Sequence, residues 1–339
     1  MKKTEIAIWM IAGALLMVIT ASAFAQGENR EGQGKAVVTV LPKKHSEQAP
    51  TISLQDLNIK VNGKESNVSR WVPLREQNDK LELVVLIDCS ARNLNGSHLA
   101  EIARFIESMP TQVKVAVGYM QAGNSLLATP LSTDHAKAAS GLHMTQGQST
   151  GPYYSLSNLA KNWPSTERDI RREVLMITSG VNPFNQNYDS NDPNLQAAIT
   201  DSVRAGLIVY SIYWSSGNSS GISSDQDQDQ TMGSTGHVRG LSSTNAGSFQ
   251  NEDGQSLLIL VSKATGGKNY GNAGSTPVTI KPYLEDIAVR LKNQYELGFT
   301  AQLNGKSSIE NLKLKARGLS SEIDTPEKVF VGQAAVAAQ

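Results

Sequence analysis

A short loop after the first strongly apolar segment carries the side chains best suited to hold a hard cation. The segment Leu81–Ile87 reads LELVVLI, and Asp88 and Ser90 follow it closely. A carboxylate and a hydroxyl two residues apart can turn toward one ion, and oxygen ligands of this kind suit Mg²⁺. Arg92 comes two residues later, and its permanent charge can pair with a carboxylate in place of a metal. The loop therefore allows either a divalent cation or a guanidinium beside Asp88.

Two other motifs have a catalytic or metal-binding spacing but lack the residues that the chemistry requires. Gly217–Gly221 reads GNSSG, the spacing of a hydrolase nucleophile elbow, yet a polar run follows where the elbow must enter a helix. Ser219 has only His237 downstream as a base, so a serine hydrolase is the remote alternative. The run DQDQD at 225–229 resembles the start of a calcium loop but lacks its glycine and its final glutamate, which indicates a solvated acidic loop.

The composition excludes several classes of protein. The 339 residues include 31 basic and 31 acidic side chains, and this balance argues against a surface that coats nucleic acid, which needs a basic excess. The single cysteine, Cys89, excludes an intramolecular disulfide framework and a cysteine-based zinc site. No motif combines an acid, a base and a nucleophile, so we do not expect an enzyme.

The first 25 residues have the organisation of a secretory signal peptide. Two lysines precede a mostly apolar run at residues 6–19, and Ala23-Phe24-Ala25 is the small-x-small pattern that signal peptidase cleaves. We expect cleavage after Ala25 and a secreted or periplasmic bacterial protein, and an uncleaved membrane anchor is the alternative. No later stretch is long and apolar enough to span a bilayer, so no membrane span is expected after cleavage.

Between residues 78 and 294, apolar strand patterns alternate with helical patterns. Unbroken apolar strands, typical of a parallel sheet buried on both faces, are predicted at Leu81–Ile87, Lys114–Met120, Glu173–Thr178 and Leu207–Tyr213. Helices are predicted at about 97–109, 133–142, 153–162, 194–205, 256–264 and 282–293. This alternation predicts an α/β fold, a doubly wound and mostly parallel sheet with helices on both faces.

The two ends of the mature chain have a different pattern, typical of short strands. Residues 26–35 (QGENREGQGK) are polar and glycine-rich, which predicts a disordered leader. Residues 36–75 and 295–333 contain strand patterns, and we expect these two segments to pair as a small flanking β subdomain. Residues 215–256 contain few apolar side chains, which predicts a mobile polar insertion in the α/β body.

Three arginines, Arg168, Arg171 and Arg172, stand just before the third of these predicted parallel strands. A basic cluster of this size is usually a solvated edge of the sheet, and this is our interpretation. The alternative is a patch that binds an acidic partner.

Several runs occur in the same order as in a known family. Besides Asp88-x-Ser90, they are PLSTDH at 130–135, TGG at 265–267 and YELGF at 295–299. Together they resemble the von Willebrand factor type A (vWA) domain, in its bacterial secreted branch, over about residues 50–320. The resemblance implies a Rossmann-like α/β fold with a metal-ion-dependent adhesion site in the loops that follow the strands.

The resemblance also implies which residues would bind the metal. The family's adhesion site begins with Asp-x-Ser-x-Ser, and its first two ligands correspond to Asp88 and Ser90. A threonine from a later loop completes the ligand set in the family, and Thr150 is the best match, with Ser149 as the rival.

Two positions depart from the family pattern. Arg92 replaces the second serine, and Ser179 stands where the family has an aspartate after the fourth strand. These departures imply a degenerate site that requires no cofactor, in which Arg92 occupies or covers the cation position; Mg²⁺ or Mn²⁺ is the alternative occupant. The resemblance further implies an adhesion-type, non-catalytic module whose unknown protein partner contacts Arg92, Asn93, Ser179 and Gly180. The alternative function is a structural scaffold of the cell envelope with a vestigial metal site.

Overall fold

The computed structural model describes residues 30–42, 51–91, 94–145, 147, 151–167, 169–182, 189–215, 243–272, 276–303, 305, 307–317 and 321–333. Outside these ranges lie the predicted signal peptide, the GNSSG and DQDQD motifs, and Arg92, Asn93, Ser149, Thr150, Arg168 and His237. Within them, no helix is long and apolar enough to cross a membrane.

The described residues form thirteen strands and six α-helices. The strands are β1 Arg30–Pro42, β2 Leu57–Val61, β3 Lys64–Pro73, β4 Leu81–Asp88, β5 Lys114–Gln121, β6 Asn124–Leu127, β7 Arg171–Thr178, β8 Leu207–Tyr213, β9 Asn269–Tyr270, β10 Gln294–Leu303, β11 Ser307–Ala316, β12 Ser321–Asp324 and β13 Lys328–Gln333. The helices are α1 Gly96–Glu107, α2 His135–Ala139, α3 Pro152–Lys161, α4 Pro193–Ala205, α5 Ser243–Thr265 and α6 Lys281–Lys292.

Six strands form an open sheet in the order β6-β5-β4-β7-β8-β9. All neighbours in it are parallel except the edge strand β6, which runs antiparallel to β5. Every residue of β4 and β8 is buried because helices cover both faces of the sheet. Helices α1, α2 and α6 pack on one face, and α3, α4 and α5 pack on the other. The structure thus confirms the predicted α/β class with a doubly wound, mostly parallel sheet.

Local capping chemistry sets the ends of the helices next to the sheet. The side chain of Asn95 accepts hydrogen bonds from the first amides of α1, at Ser97 and His98. Asp192 caps α4 in the same way, and Gly206 ends that helix with a left-handed φ of +67°. These caps fix where the chain leaves each helix and therefore where the connecting loops begin.

The two flanking segments form a closed barrel. The strands follow the order β10-β3-β2-β11-β13-β1, and β1 pairs back with β10, so that six antiparallel strands complete a ring. β12 adds to the end of β1 outside the ring. Val38, Leu297, Phe299, Leu303 and Val331 are among the buried residues that fill its interior. Closure leaves the ring without long free edges, which protects it from pairing with other chains.

The predicted leader at 26–35 is ordered from Arg30 onward, so that part of the prediction is wrong. These residues belong to β1, and Gly32 and Gly34 face the barrel interior. A Cβ atom at Gly32 would lie 2.3 Å from a Leu303 methyl, and one at Gly34 would lie 2.2 Å from the Phe299 ring. The glycines that resembled a disordered segment are required because large side chains of other strands occupy their space.

The predicted polar insertion at 215–256 is too long, because α5 begins at Ser243 and not at Ser256. Leu257, Leu258 and Val261 anchor this helix on the sheet. Once a helix is anchored, each further residue adds a hydrogen bond at little cost, so polar residues can extend it toward the amino terminus.

Arg171 is buried between the sheet and the barrel, so the prediction of a solvated edge is wrong for this residue. Its guanidinium donates to Asp79 Oδ1 at 2.6 Å, to the carbonyl of Leu291 at 3.0 Å and to the side chain of Gln294 in β10. Glu173 lies beside it on the same face of β7. Burial raises the pKa of the Glu173 carboxyl to about 7, although the charge of Arg171 acts in the opposite direction.

Arg290 of α6 makes the second buried connection, and its side chain is 2% exposed. The Nε atom donates to Asp286 at 2.9 Å, and Nη1 donates to Asp324 of β12. Because β12 pairs with β1, this contact joins the helix to the barrel. A buried cation is costly unless it is paired, and here two carboxylates replace its lost hydration.

We expect Arg290→Met to lower the free energy of unfolding by about 3 kcal/mol, because it leaves Asp324 without its cation and leaves Asp286 with Lys268 alone. Urea unfolding measures this. Arg104→Met, in the exposed last turn of α1, is the matched control, and we expect it to change stability by no more than about 0.5 kcal/mol. Equal losses for both variants would contradict a special role for Arg290.

Candidate functional site

The candidate site lies where two neighbouring parallel strands end. Asp88 is the last residue of β4, and Thr178 is the last residue of β7. The register pairs Ile87 with Ile177, so the next residues of the two strands stand side by side. The strand order reverses at this point, because β5 lies on one side of β4 and β7 on the other. Open α/β sheets bind ligands outside the carboxyl ends of the strands at such a reversal.

Three donors hold the Asp88 carboxylate. Oδ1 accepts hydrogen bonds from the Ser90 amide at 2.9 Å and from the Ser90 hydroxyl at 2.8 Å. Oδ2 accepts one from the Thr178 hydroxyl at 2.7 Å, and this hydroxyl accepts from the Gly180 amide at 3.2 Å. Asp88 is only 1% exposed. Its carboxylate is therefore oriented by the protein itself, before any ligand binds.

Burial raises the pKa of Asp88 above its ordinary value, and the three hydrogen bonds offset only part of this effect. No basic group among the described residues contributes to the shift. Oδ2 accepts a single hydrogen bond among the described residues and keeps a second lone pair. The carboxylate can therefore still accept one cation or one further donor.

Thr178 is the site residue that the sequence analysis missed. The resemblance pointed to Ser179, the residue after this strand, whereas Thr178 makes the contact with Asp88. The available signal was the polar residue that ends the apolar run EVLMIT. In parallel strands that end in register, the last side chains of neighbours stand together, which favours a contact between Thr178 and Asp88.

Ser179 and Gly180, which were predicted to contact a partner, are buried beneath α5. Gly180 has a φ of +69°, and a Cβ atom there would lie 2.2 Å from the carbonyl oxygen of Gly254. The Tyr153 hydroxyl donates to the Gly180 carbonyl at 2.8 Å. Both residues therefore connect the site to α3 and α5 by packing, and in this structure they offer no surface to a partner.

The described ends of two loops lie beside Asp88. The amide of Ala91 donates to the Asp88 carbonyl at 3.0 Å, just before the predicted contacts Arg92 and Asn93. In the second loop, a Cβ atom at Gly147 would lie 2.9 Å from the Cβ of Cys89. The predicted ligand Thr150 and its rival Ser149 follow in this loop, outside the described residues.

Cys89 is a poor nucleophile in this environment. Burial, followed by the negative charge of Asp88, raises the pKa of its thiol, which keeps the sulfur protonated. Elsewhere too, the described residues hold no group of three histidine, cysteine, aspartate or glutamate side chains that could bind a metal ion. What the described geometry provides is one fixed carboxylate with a hydroxyl on each side.

No family model matches the chain, and no curated protein matches its sequence. Among solved structures, it is similar to an aerotolerance-related membrane protein from Bacteroides fragilis, with 16% identity, 62% of this chain and 98% of the other covered, and a TM-score of 0.39. It is similar to the pilus adhesin SpaC from Lactobacillus rhamnosus GG, with 10% identity. That match covers 87% of this chain and 49% of the other, with a TM-score of 0.40. It is also similar to the vWF domain of the type V pili tip protein Mfa5 from Porphyromonas gingivalis, with 16% identity. That match covers 39% of this chain and 51% of the other, with a TM-score of 0.26.

These similarities are low in both identity and TM-score, and they say nothing about function. The class of the protein follows from its own strand order, its parallel pairings and the helices on both faces. Those features define a doubly wound α/β domain, the architecture that the resemblance to vWA domains implies, joined to a six-stranded antiparallel barrel.

We expect Thr178→Val to lower the free energy of unfolding by about 1.5–3 kcal/mol, because it removes a hydrogen bond to a buried carboxylate. Thr178→Ser keeps the hydroxyl and loses only a methyl group, so we expect it to cost about 1 kcal/mol or less. Denaturant unfolding of the two variants checks this. A Ser variant as unstable as the Val variant would show that the methyl group, not the hydroxyl, stabilises the site.

We expect the stability of Asp88→Asn relative to the wild type to rise as pH increases from about 4, near the unfolded pKa of an aspartate, to about 8. The folded pKa of Asp88 is above its unfolded value, so the folded state binds the proton more tightly and stability falls as pH rises between the two values. The asparagine lacks this dependence. Unfolding curves at both pH values measure it, and a wild type that gains stability over the variant as pH rises would instead reveal a cation paired with Asp88.

Proposed function

We propose that this chain is an exported, non-catalytic module of the vWA type that binds a protein partner through the loops at the carboxyl ends of β4 and β7. The observation that supports this most directly is the buried Asp88 carboxylate, held by three donors where the strand order reverses. Burying a charge costs stability, so a carboxylate at this position fits a binding role better than a packing role.

Arg92 and Asn93 are the partner-contacting residues in this proposal. Because three protein donors already orient Asp88, the carboxylate does not need Arg92 to hold it in place. A carboxylate of the partner can then pair with the guanidinium through two parallel hydrogen bonds. This mode requires no cofactor. The alternative is a site in which Asp88, Ser90 and Thr150 hold Mg²⁺ or Mn²⁺.

Export to the periplasm or the medium is part of the same proposal. It is supported by the amino-terminal segment, with its two lysines, its apolar run and the Ala23-Phe24-Ala25 cleavage pattern. Mass spectrometry of the protein purified from its native host tests this, because cleavage after Ala25 leaves Gln26 as the first residue.

Calorimetric titration separates the two modes of binding. We expect Mg²⁺ and Mn²⁺ to give no saturable heat with the wild type, and Asp88→Ala to behave in the same way. Saturable binding that disappears in the variant would replace the proposed cofactor-free mode by a working metal site.

A capture experiment tests the protein-binding role. Wild type, Arg92→Glu and the matched surface variant Arg104→Glu are immobilised and exposed to envelope extract of the native host. We expect one protein to be retained by the wild type and by Arg104→Glu but lost from Arg92→Glu. Arg92→Ala should weaken the same binding and change the free energy of unfolding by no more than about 0.5 kcal/mol, as expected if the side chain serves the partner and not the fold.

The alternatives predict other outcomes in the same samples. A structural scaffold would retain the same proteins in all three forms, because its contacts do not involve Arg92. A serine hydrolase would be labelled at Ser219 by a fluorophosphonate probe, whereas the proposed module would not react.

A further inference from the structure

A groove separates the barrel from the amino-terminal end of the parallel sheet. Its volume is about 960 Å³, and strands β1, β3, β10 and β13 of the barrel form one wall. The other wall consists of Lys80, the start of β7 and the end of α4 around Arg204. Because β4 runs eight residues from this edge to Asp88, the groove lies about 20 Å or more from the candidate site.

The groove concentrates positive charge in a chain whose net charge is zero. Among the described residues, seven basic and two acidic side chains line it, and one of the seven, Arg171, is buried and paired with Asp79. The acidic ones are Asp169 and Glu296, and Glu296 already pairs with both Lys35 and Arg70. A concave surface with such an excess of one sign attracts ligands of the opposite sign.

Several of these cations form no ion pair with a carboxylate of the described residues. Among the described residues, no acidic side chain lies within ion-pair distance of Lys80, Arg204 or Lys328. Within the part of the chain that the structure describes, Arg172 donates only to the carbonyl oxygens of Ser165 and Glu167, and it lies 5.7 Å from the centre of the Trp163 ring. These four cations are therefore not neutralised by an ion pair within the described part of the chain, although Lys80 helps to lower the pKa of the Glu167 carboxyl from a longer distance.

The remaining lining favours a peptide over a phosphate or sulfate polymer. Val37, Val72, Ile170 and Phe330 are only partly buried and place apolar surface between the basic side chains. In addition, among the described strands, residues 35–38 of β1 pair with β10 alone, because β13 pairs with residues 32–34 and β12 with residues 39–42. An unpaired strand segment can hydrogen-bond an extended backbone.

We propose that this groove binds an extended acidic segment of a partner protein, with acidic side chains meeting Lys80, Arg172, Arg204 and Lys328 and apolar side chains between them. This is a second interaction surface, at the opposite end of the sheet from Asp88. It does not depend on the site proposed above.

The test uses a fluorescein-labelled octapeptide of alternating glutamate and valine, with fluorescence polarisation as the readout. We expect binding that weakens when salt is raised from about 0.05 to about 0.3 M, as charge pairing requires. The octapeptide with lysine in place of glutamate should not bind. Asp88→Ala should bind the acidic peptide as the wild type does, which separates this surface from the first.

Two double variants carry the same change in charge at different places. Arg204→Glu with Lys328→Glu reverses the charge inside the groove, and we expect at least tenfold weaker binding. Lys313→Glu with Lys315→Glu reverses it on exposed positions of β11 outside the groove, and we expect less than a threefold change. Thermal unfolding confirms that both variants fold.

Three results would overturn the proposal. The first is no detectable binding of the acidic peptide at concentrations up to about 1 mM, because a Kd above this value corresponds to less than about 4 kcal/mol of binding free energy. The second is an equal loss of binding in the two double variants, which would show a general effect of net charge. The third is displacement of the labelled peptide by inorganic polyphosphate at lower concentration than by unlabelled peptide, which would make the groove a polyanion site.

Discussion

Two buried guanidinium groups hold the barrel against the sheet, and the rest of the structure is arranged around this constraint. Arg171 reaches from β7 to the segment before β4, to the end of α6 and to β10, while Arg290 reaches from α6 to β12. A buried charge is tolerated only when hydrogen bonds and opposite charges replace its hydration. The orientation of the barrel is therefore specified by polar geometry, which tolerates less displacement than apolar packing does.

The site at the other end of the sheet follows from the parallel pairing itself. Strands that are buried on both faces have few places for polar side chains except their ends. Asp88 and Thr178 occupy two such ends in register, so the hydroxyl of one satisfies the carboxylate of the other. The glycine after them, Gly180, allows α5 to approach closely enough to exclude water from the pair. The raised pKa of Asp88 is the consequence of that exclusion.

Much of the α/β body could be predicted because its strands are short, apolar and separated by clear helical patterns. The strand Leu207–Tyr213 was predicted with its observed bounds. A short unbroken apolar run between helical patterns is typical of a central strand that is buried on both faces of the sheet. Gly32 and Gly34 were misread because composition records that a residue is small and cannot show which side chain needs the space. The contact between Asp88 and Thr178 was missed for a similar reason, because it depends on the register between strands that are about 90 residues apart in the chain.

Arg171 and Arg172 show why residue type alone cannot assign a role. They are consecutive in β7, so their side chains point to opposite faces of the sheet. Arg171 points to the face covered by α6, where carboxylates and carbonyls surround it and its charge is used within the fold. Arg172 points to the other face, where the described groups that it contacts are two carbonyl oxygens and the Trp163 ring, and its side chain reaches the groove. Because neighbouring side chains of a strand point to opposite faces, Arg171 joins the sheet to the barrel, whereas Arg172 is the residue that the proposed ligand would contact.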